Sequence, residues 1–181
     1  MKTLIHSMLL LLAGALLLAS CQEDEREERQ RTEIESYIRS TLRAEVNEVD
    51  GVYIVWLAID TVRAARGERI AIHPGDDIGF LYEAVALRGG AFATNVPEFA
   101  AERGLVPLPM EVITVGSSRL ITGLDRGLRH LSLGDHALIL FPFTLGYGEE
   151  NVGSVPAESA LLFEVIVTMV NGTEFPVNII L

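Results

Sequence analysis

Residues 120–170 read LITGLDRGLRHLSLGDHALILFPFTLGYGEENVGSVPAESALLFEVIVTMV, and the pattern of this stretch decides the fold. Leu120, Ile121, Leu124, Leu128 and Leu131 recur at helical spacing. That predicts a helix over about 119–130 with one buried face. Gly134 follows as a stop signal. His136–Phe143 and Ala160–Val170 are apolar and rich in β-branched and aromatic residues, so both read as strands. Between them lie a Gly146-Tyr147-Gly148 corner and a Val155-Pro156 turn.

Working back toward the amino terminus, Glu111–Val115 reads as a short strand. Residues 94–109 carry Pro97, Gly104, Pro107 and Pro109, and form a candidate flap over a pocket. Within it, proline in the first turn predicts a short helix from Pro97. Ile78–Leu87 and Ala91-Phe92-Ala93 read as strands joined at Gly89-Gly90, and His73-Pro74-Gly75-Asp76-Asp77 is a turn. Arg63–Arg69 is a polar connection. Val52–Ile59 is a strand that holds the sole tryptophan, Trp56, assigned to the core. Strands with tight connections and one short helix make an α+β domain over 51–171, with an antiparallel sheet curled around the helix.

The flanks are read differently. Residues 21–50 are polar and rich in Glu and Arg. Thr32 and Glu35 fit a capping box, and Ile34, Tyr37, Ile38 and Leu42 form one apolar stripe. These predict a helix over about 33–43, taken as a spacer that the fold does not need. Residues 172–181 form a tail in which Phe175-Pro176-Val177 fit either an edge strand or a contact with a neighbour. Asn171-Gly172-Thr173 matches a glycosylation acceptor but is read as a turn. The 181-residue chain has a formal charge of −11. A phosphate backbone needs a basic face, and no Lys/Arg cluster offers one, which excludes nucleic acid as a partner.

Met8–Ala19 is an apolar run of the roughly 7–15 residues of a signal-peptide core. It falls short of the roughly 20 residues that span a bilayer. Residues 1–20 are therefore a signal peptide. Leu18-Ala19-Ser20-Cys21 resembles a bacterial lipobox. That resemblance implies that Cys21 is diacylated, becomes the mature amino terminus and anchors the protein to a membrane. As the only cysteine it makes no internal disulfide. No aspartate follows it directly, so the common inner-membrane retention signal is missing. The acidic run Gln22-Glu23-Asp24-Glu25 resembles the surface-export signal of Bacteroidetes lipoproteins, or is a solvated tether. The implied location is the cell envelope, at the outer membrane, on its periplasmic or its exposed face.

The order of features over 120–170 also resembles the FKBP-type peptidyl-prolyl isomerases. Their pattern there is V-I-x-G-W-(D/E)-x-G-L, then (I/L)-P-x-x-x-(A/G)-Y-G, then (I/V)-P-x-x-x-x-L-x-F-x-V-x-L. The likeness covers roughly 72–170, and implies a curled antiparallel sheet wrapped around one short helix. It also implies a pocket. Leu81-Tyr82-Glu83-Ala84 resembles the family's H-Y-T-G and places Tyr82 at the pocket tyrosine. Ala91-Phe92-Ala93-Thr94 resembles K-F-D-S and places Phe92 on a wall. Leu120-Ile121 matches V-I, where the Ile121 N–H would hold a substrate carbonyl. Tyr147 would offer its hydroxyl, and Val155-Pro156 and Phe163 would close the wall. Three departures stand out. Leu124 replaces the floor tryptophan, Ala93 replaces an aspartate, and the second wall aromatic near Met110 has no counterpart.

The implied substrates are proline-containing polypeptides. An X–Pro bond turns over a barrier of about 18–20 kcal/mol because its amide is resonance-stabilised. A catalyst of that rotation needs a dry, shaped pocket that prefers the twisted amide. It calls for no nucleophile, metal or cofactor. His130 and His136 are read as surface residues rather than a metal pair. Two functions stay open: a membrane-anchored isomerase, weakened by Leu124 and Ala93, and a catalytically weak or inactive module that binds polypeptides. Nothing in the sequence sets the oligomeric state.

Overall fold

The computed structural model describes residues 24–59, 64 and 66–176. The lipobox cysteine, the signal peptide, Arg63 and Val177 lie outside the described residues. Helix α1 spans 24–37 and runs into a wider π turn, Ile38–Leu42. Then come β1 (Glu48–Val49), β2 (Val52–Ala58), β3 (Asp77–Ala86), β4 (Gly90–Thr94) and α2 (Pro97–Arg103). After these follow β5 (Ile113–Thr114), α3 (Thr122–Leu128), β6 (His136–Phe141), β7 (Leu161–Val170) and β8 (Thr173–Glu174). They form one eight-stranded sheet in the order β1-β2-β6-β7-β3-β4, with β5 on β3 and β8 on β7. Every pairing among these strands is antiparallel.

Alternation along each strand sends side chains to opposite faces. Ala137, Ile139 and Phe141 of β6 and Phe163, Val165 and Val167 of β7 join Leu124 and Leu128 of α3 in the larger core cluster. Two glycines one helical turn apart bring α3 close to β6. A Cβ on Gly123 would lie 2.3 Å from the Phe141 ring, and one on Gly127 would lie 2.3 Å from Ile139 Cγ2. The helix is shorter than the sequence pattern suggests. Ile121 is extended (φ −63°, ψ 146°), and the backbone N–H groups of Arg129, His130 and Leu131 bond three residues back rather than four. That tighter turn carries Leu131 into the core, where it is buried.

The other face is covered too, and here the spacer reading is corrected. Ile34 of α1 and Ile38 of the π turn are both 0% exposed, packed with Tyr53, Val55, Leu138, Leu140 and Leu162. The physical reason lies in β2, β6 and β7, which present apolar residues at both parities, so a second layer must cover them. Thr32 caps nothing. It sits inside the helix, and its hydroxyl donates to the Glu28 carbonyl at 3.1 Å. Trp56 is 38% exposed and not core. The register of β2 with β6 shifts between Trp56 and Ala58, and the end of the strand belongs to neither cluster.

At the other end, Asn171-Gly172 (φ 48° and 77°) make the tight turn between β7 and β8. The edge pairing falls on Thr173–Glu174, just before Phe175. Phe175 packs against its own domain, over Gly134, where a Cβ would meet its ring at 2.7 Å.

Candidate functional site

A cleft of about 320 Å³ opens beside the amino-terminal end of α3. Tyr82 of β3, Phe163 of β7, Tyr147, and Leu120, Ile121 and Leu124 at the entry to α3 all line it. The structure thus brings together residues that lie as much as 81 positions apart (163 minus 82). Leu124 is 4% exposed and supplies an apolar surface at the position of the expected floor.

The aromatic wall is continuous. Phe163 stacks on Phe141 (centroids 5.8 Å, planes 13° apart) and tilts against Tyr82 at 5.9 Å. Phe92 stands edge-on to Tyr147 at 6.1 Å and to Phe163 at 6.0 Å. Through these contacts it joins the aromatic wall, beside the residues that line the cleft. A β-bulge sets this up. Ala84 pairs with Ala93 and Val85 with Ala91, which leaves Phe92 as the extra residue. Both Phe92 and Ala93 then pack on the same core cluster. Ala93 is not a lining residue. Val155 is 2% exposed and buried in that cluster, so it supports the wall from within rather than closing its surface, as the resemblance had implied.

Tyr147 follows a 3₁₀ turn, Phe143–Leu145. The left-handed Gly148 (φ 67°) then lets its N–H return to the Phe143 carbonyl at 3.0 Å. Ile121 lines the cleft, and its carbonyl accepts from the Asp125 N–H at 3.0 Å. No protein acceptor among the described residues takes its own N–H. The hydroxyls of Tyr82 and Tyr147 likewise have no protein hydrogen-bond partner among the described residues. Burial raises the pKa of both tyrosines above 10.0, and Tyr147 raises that of Tyr82 further. Both are neutral donors around pH 7. An apolar cleft with unengaged O–H and N–H donors suits a peptide carbonyl set among hydrophobic side chains.

The sequence reading missed part of the lining. Pro109, Glu111 and Ile113 face the cleft, together with Leu108. Met110 and Val112, 61% and 55% exposed, line a second groove with Leu81 and Phe175. The signal was period-two alternation over 109–113, hidden by the prolines before it. Of the 94–109 segment expected as a flap, Asn95, Leu108 and Pro109 line the cleft. Asn95 was also missed, and no sequence pattern marks it. Its side chain accepts from the Tyr82 N–H and donates to the Phe80 carbonyl, both at 2.8 Å, which holds β3 in place. At the rim, Arg119 pairs with Glu111, both about half exposed. His130 and His136 do not converge, since one bonds Asp50 and the other Glu164.

The sequence profile of the FKBP-type peptidyl-prolyl cis-trans isomerases matches residues 69–168. FK506-binding protein 1 of Aspergillus oryzae is 30% identical over 107 residues, which cover 59% of this chain and 86% of that protein. FK506-binding protein 2 of Dictyostelium discoideum is 29% identical over 112 residues, 61% of this chain and 71% of that protein. The mouse peptidyl-prolyl cis-trans isomerase FKBP10 is 42% identical over 53 residues, but the match spans only 9% of it. The crystal structure of FkpA from Escherichia coli superposes with a TM-score of 0.55 at 18% identity. That likeness covers 84% of this chain and 63% of FkpA, and speaks to the fold.

Proposed function

The chain belongs to the FKBP-type peptidyl-prolyl cis-trans isomerases, and from that premise we propose that it catalyses, at low turnover, rotation about X–Pro bonds of polypeptides outside the cytoplasm. The observation that carries this reading is the aromatic-walled cleft in which, among the described residues, no protein partner takes the donors of Tyr82, Tyr147 and Ile121. Rotation weakens amide resonance, so a twisted amide suffers less than a planar one from losing water. A donor at the carbonyl oxygen keeps that group satisfied while the proline ring sits among Phe163, Leu124 and Ile121. Discrimination between planar and twisted amide is what accelerates the exchange.

Leu124 and Ala93 favour a second reading, a module that holds proline segments with little or no turnover. One experiment separates the two. The soluble chain from Gln22 is assayed on a series of Ala-X-Pro-Phe tetrapeptides by protease-coupled exchange, with peptide affinity measured alongside. Exchange above the uncatalysed rate, weakened by Tyr147→Phe, supports the enzyme. Exchange at the uncatalysed rate refutes it. Peptide affinity that then still depends on Tyr82 and Phe92 identifies the binding module.

The same proposal places the protein in the cell envelope, at the outer membrane, anchored through lipidated Cys21. Its support is the lipobox at the end of a short apolar run. Buried acyl chains contribute about 0.8 kcal/mol per methylene. Fatty-acid labelling and mass spectrometry of the native amino terminus test it. Unchanged membrane partition of Cys21→Ala would refute it.

A further inference from the structure

The connection from Phe141 to Leu161 carries Tyr147 into the cleft, and it is fastened from outside the family-matched region. Gln30 of α1 is 5% exposed. Its Oε1 accepts from the Phe143 N–H at 2.6 Å, and its Nε2 donates to the Glu158 carbonyl at 2.8 Å. Within the connection, Gly148 N–H donates to the Phe143 carbonyl and Glu158 N–H to the Gly148 carbonyl, both at 3.0 Å. These four bonds close a ring: Gln30, Phe143, Gly148, Glu158 and back to Gln30. Tyr147 precedes one member of that ring. Arg26, one turn earlier on α1, reinforces it. Its guanidinium pairs with Glu149 and Glu158, each at 2.5 Å, and lies 5.9 Å from the Phe143 ring centroid.

We propose that Gln30 is a positioning residue for Tyr147, so that α1, although it lies before the family-matched residues 69–168, sets where the tyrosine hydroxyl stands in the cleft. This rests on the cleft being the site at which proline peptides bind. A long connection that pairs with no strand of the sheet needs its own fastening to hold one side chain still. A buried primary amide with both ends satisfied supplies it, because breaking either end strands a polar group away from water. A helix that only covered apolar surface would place an apolar side chain here.

A double-mutant cycle on the chain from Gln22 tests this. Gln30→Met keeps the side-chain length and removes both bonds. It is expected to lower kcat/KM for the most reactive Ala-X-Pro-Phe peptide by about three- to tenfold, the size of one displaced hydrogen bond. Made in a Tyr147→Phe background, the same change is expected to have less than about a twofold effect, since the group being positioned is gone. Amide hydrogen exchange should rise at Gly148 and Glu158 but not at Ile139 or Val165. Equal losses in both backgrounds, or unchanged exchange at Gly148, would overturn the proposal. Arg26→Met, on a more exposed side chain, carries the same cycle if Gln30→Met fails to fold. If the parent shows no turnover, the isomerase reading fails, and peptide affinity replaces kcat/KM in the cycle to decide the role of Gln30.

Discussion

Truncating Ile34 or Ile38 to alanine should destabilise the whole domain, although both lie well before the family-matched residues. Each side chain is 0% exposed, wedged against the layer formed by Tyr53, Leu138, Leu140 and Leu162. An Ile→Ala change at such a site costs about 2–5 kcal/mol, the lost transfer free energy plus the cavity left behind. Domains have about 5–15 kcal/mol in hand, so one substitution removes a large share of it. At about 2–4 °C per kcal/mol for a chain of this size, Tm should fall by about 4–20 °C. The two residues share one helix face and the same neighbours, so the double variant should fall short of the sum. Arg39→Ala is the control. Its side chain is 63% exposed and pairs with Glu35, so the change should stay within about 0.5 kcal/mol. Urea unfolding followed by far-ultraviolet circular dichroism on the chain from Gln22 reads all of these. A chain starting at Val46 that unfolds as cooperatively as the longer one, within about 0.5 kcal/mol, would refute the argument.

Three further outcomes follow from the geometry. Gly127→Ala should be destabilising, with an overpacking cost of up to about 3 kcal/mol, because its Cβ would lie 2.3 Å from the buried Ile139 Cγ2. That outweighs the roughly 1 kcal/mol of added helix propensity, and a raised urea midpoint would contradict it. Leu124→Trp should enlarge the cleft's apolar floor and Ala93→Asp should return a polar group beside Phe92. Each 1.36 kcal/mol regained in the transition state is about tenfold in kcat/KM, and variants no faster than the parent would show that these positions do not limit turnover. Tyr53, Tyr82 and Tyr147 all have pKa values raised by burial. In the unfolded chain tyrosines lose protons from about pH 10, while the folded chain still holds these. Their contribution to stability is present below pH 10 and is lost as pH rises through the folded values. Unfolding midpoints that stay flat from pH 9 to 12 would refute that sign.

Much of the fold could be read locally because its signals are local. Apolar runs bounded by turn residues marked β2, β3, β6 and β7, and the helical face of Leu124 and Leu128 marked α3. The positions of Tyr82, Ile121, Leu124, Tyr147 and Phe163 were legible through family resemblance, and the structure gathers them at one cleft. The failures have physical causes. A capping box at Thr32 is a four-residue pattern, and the helix had already begun by Asp24. Trp56 was placed inside by its hydrophobicity, but a register shift with β6 decides its exposure. Val155 was expected on the surface of the wall, but at 2% exposed it supports the wall from within, because packing depth sets which residue lines a cleft.

By itself, the sequence determined the strands from β2 to β7, the turns at Gly89-Gly90 and Asn171-Gly172, and the apolar stripe of α1. In each case neighbouring residues suffice to choose the backbone conformation. Only the tertiary structure decided that this stripe is core and that Gln30 holds the Tyr147 loop. The bonds of Gln30 reach 113 and 128 residues along the chain. A polar residue on a helix looks the same in sequence whether it faces water or a distant carbonyl. What makes the difference is the sheet that α1 covers, whose shape exists only once β2, β6 and β7 have paired.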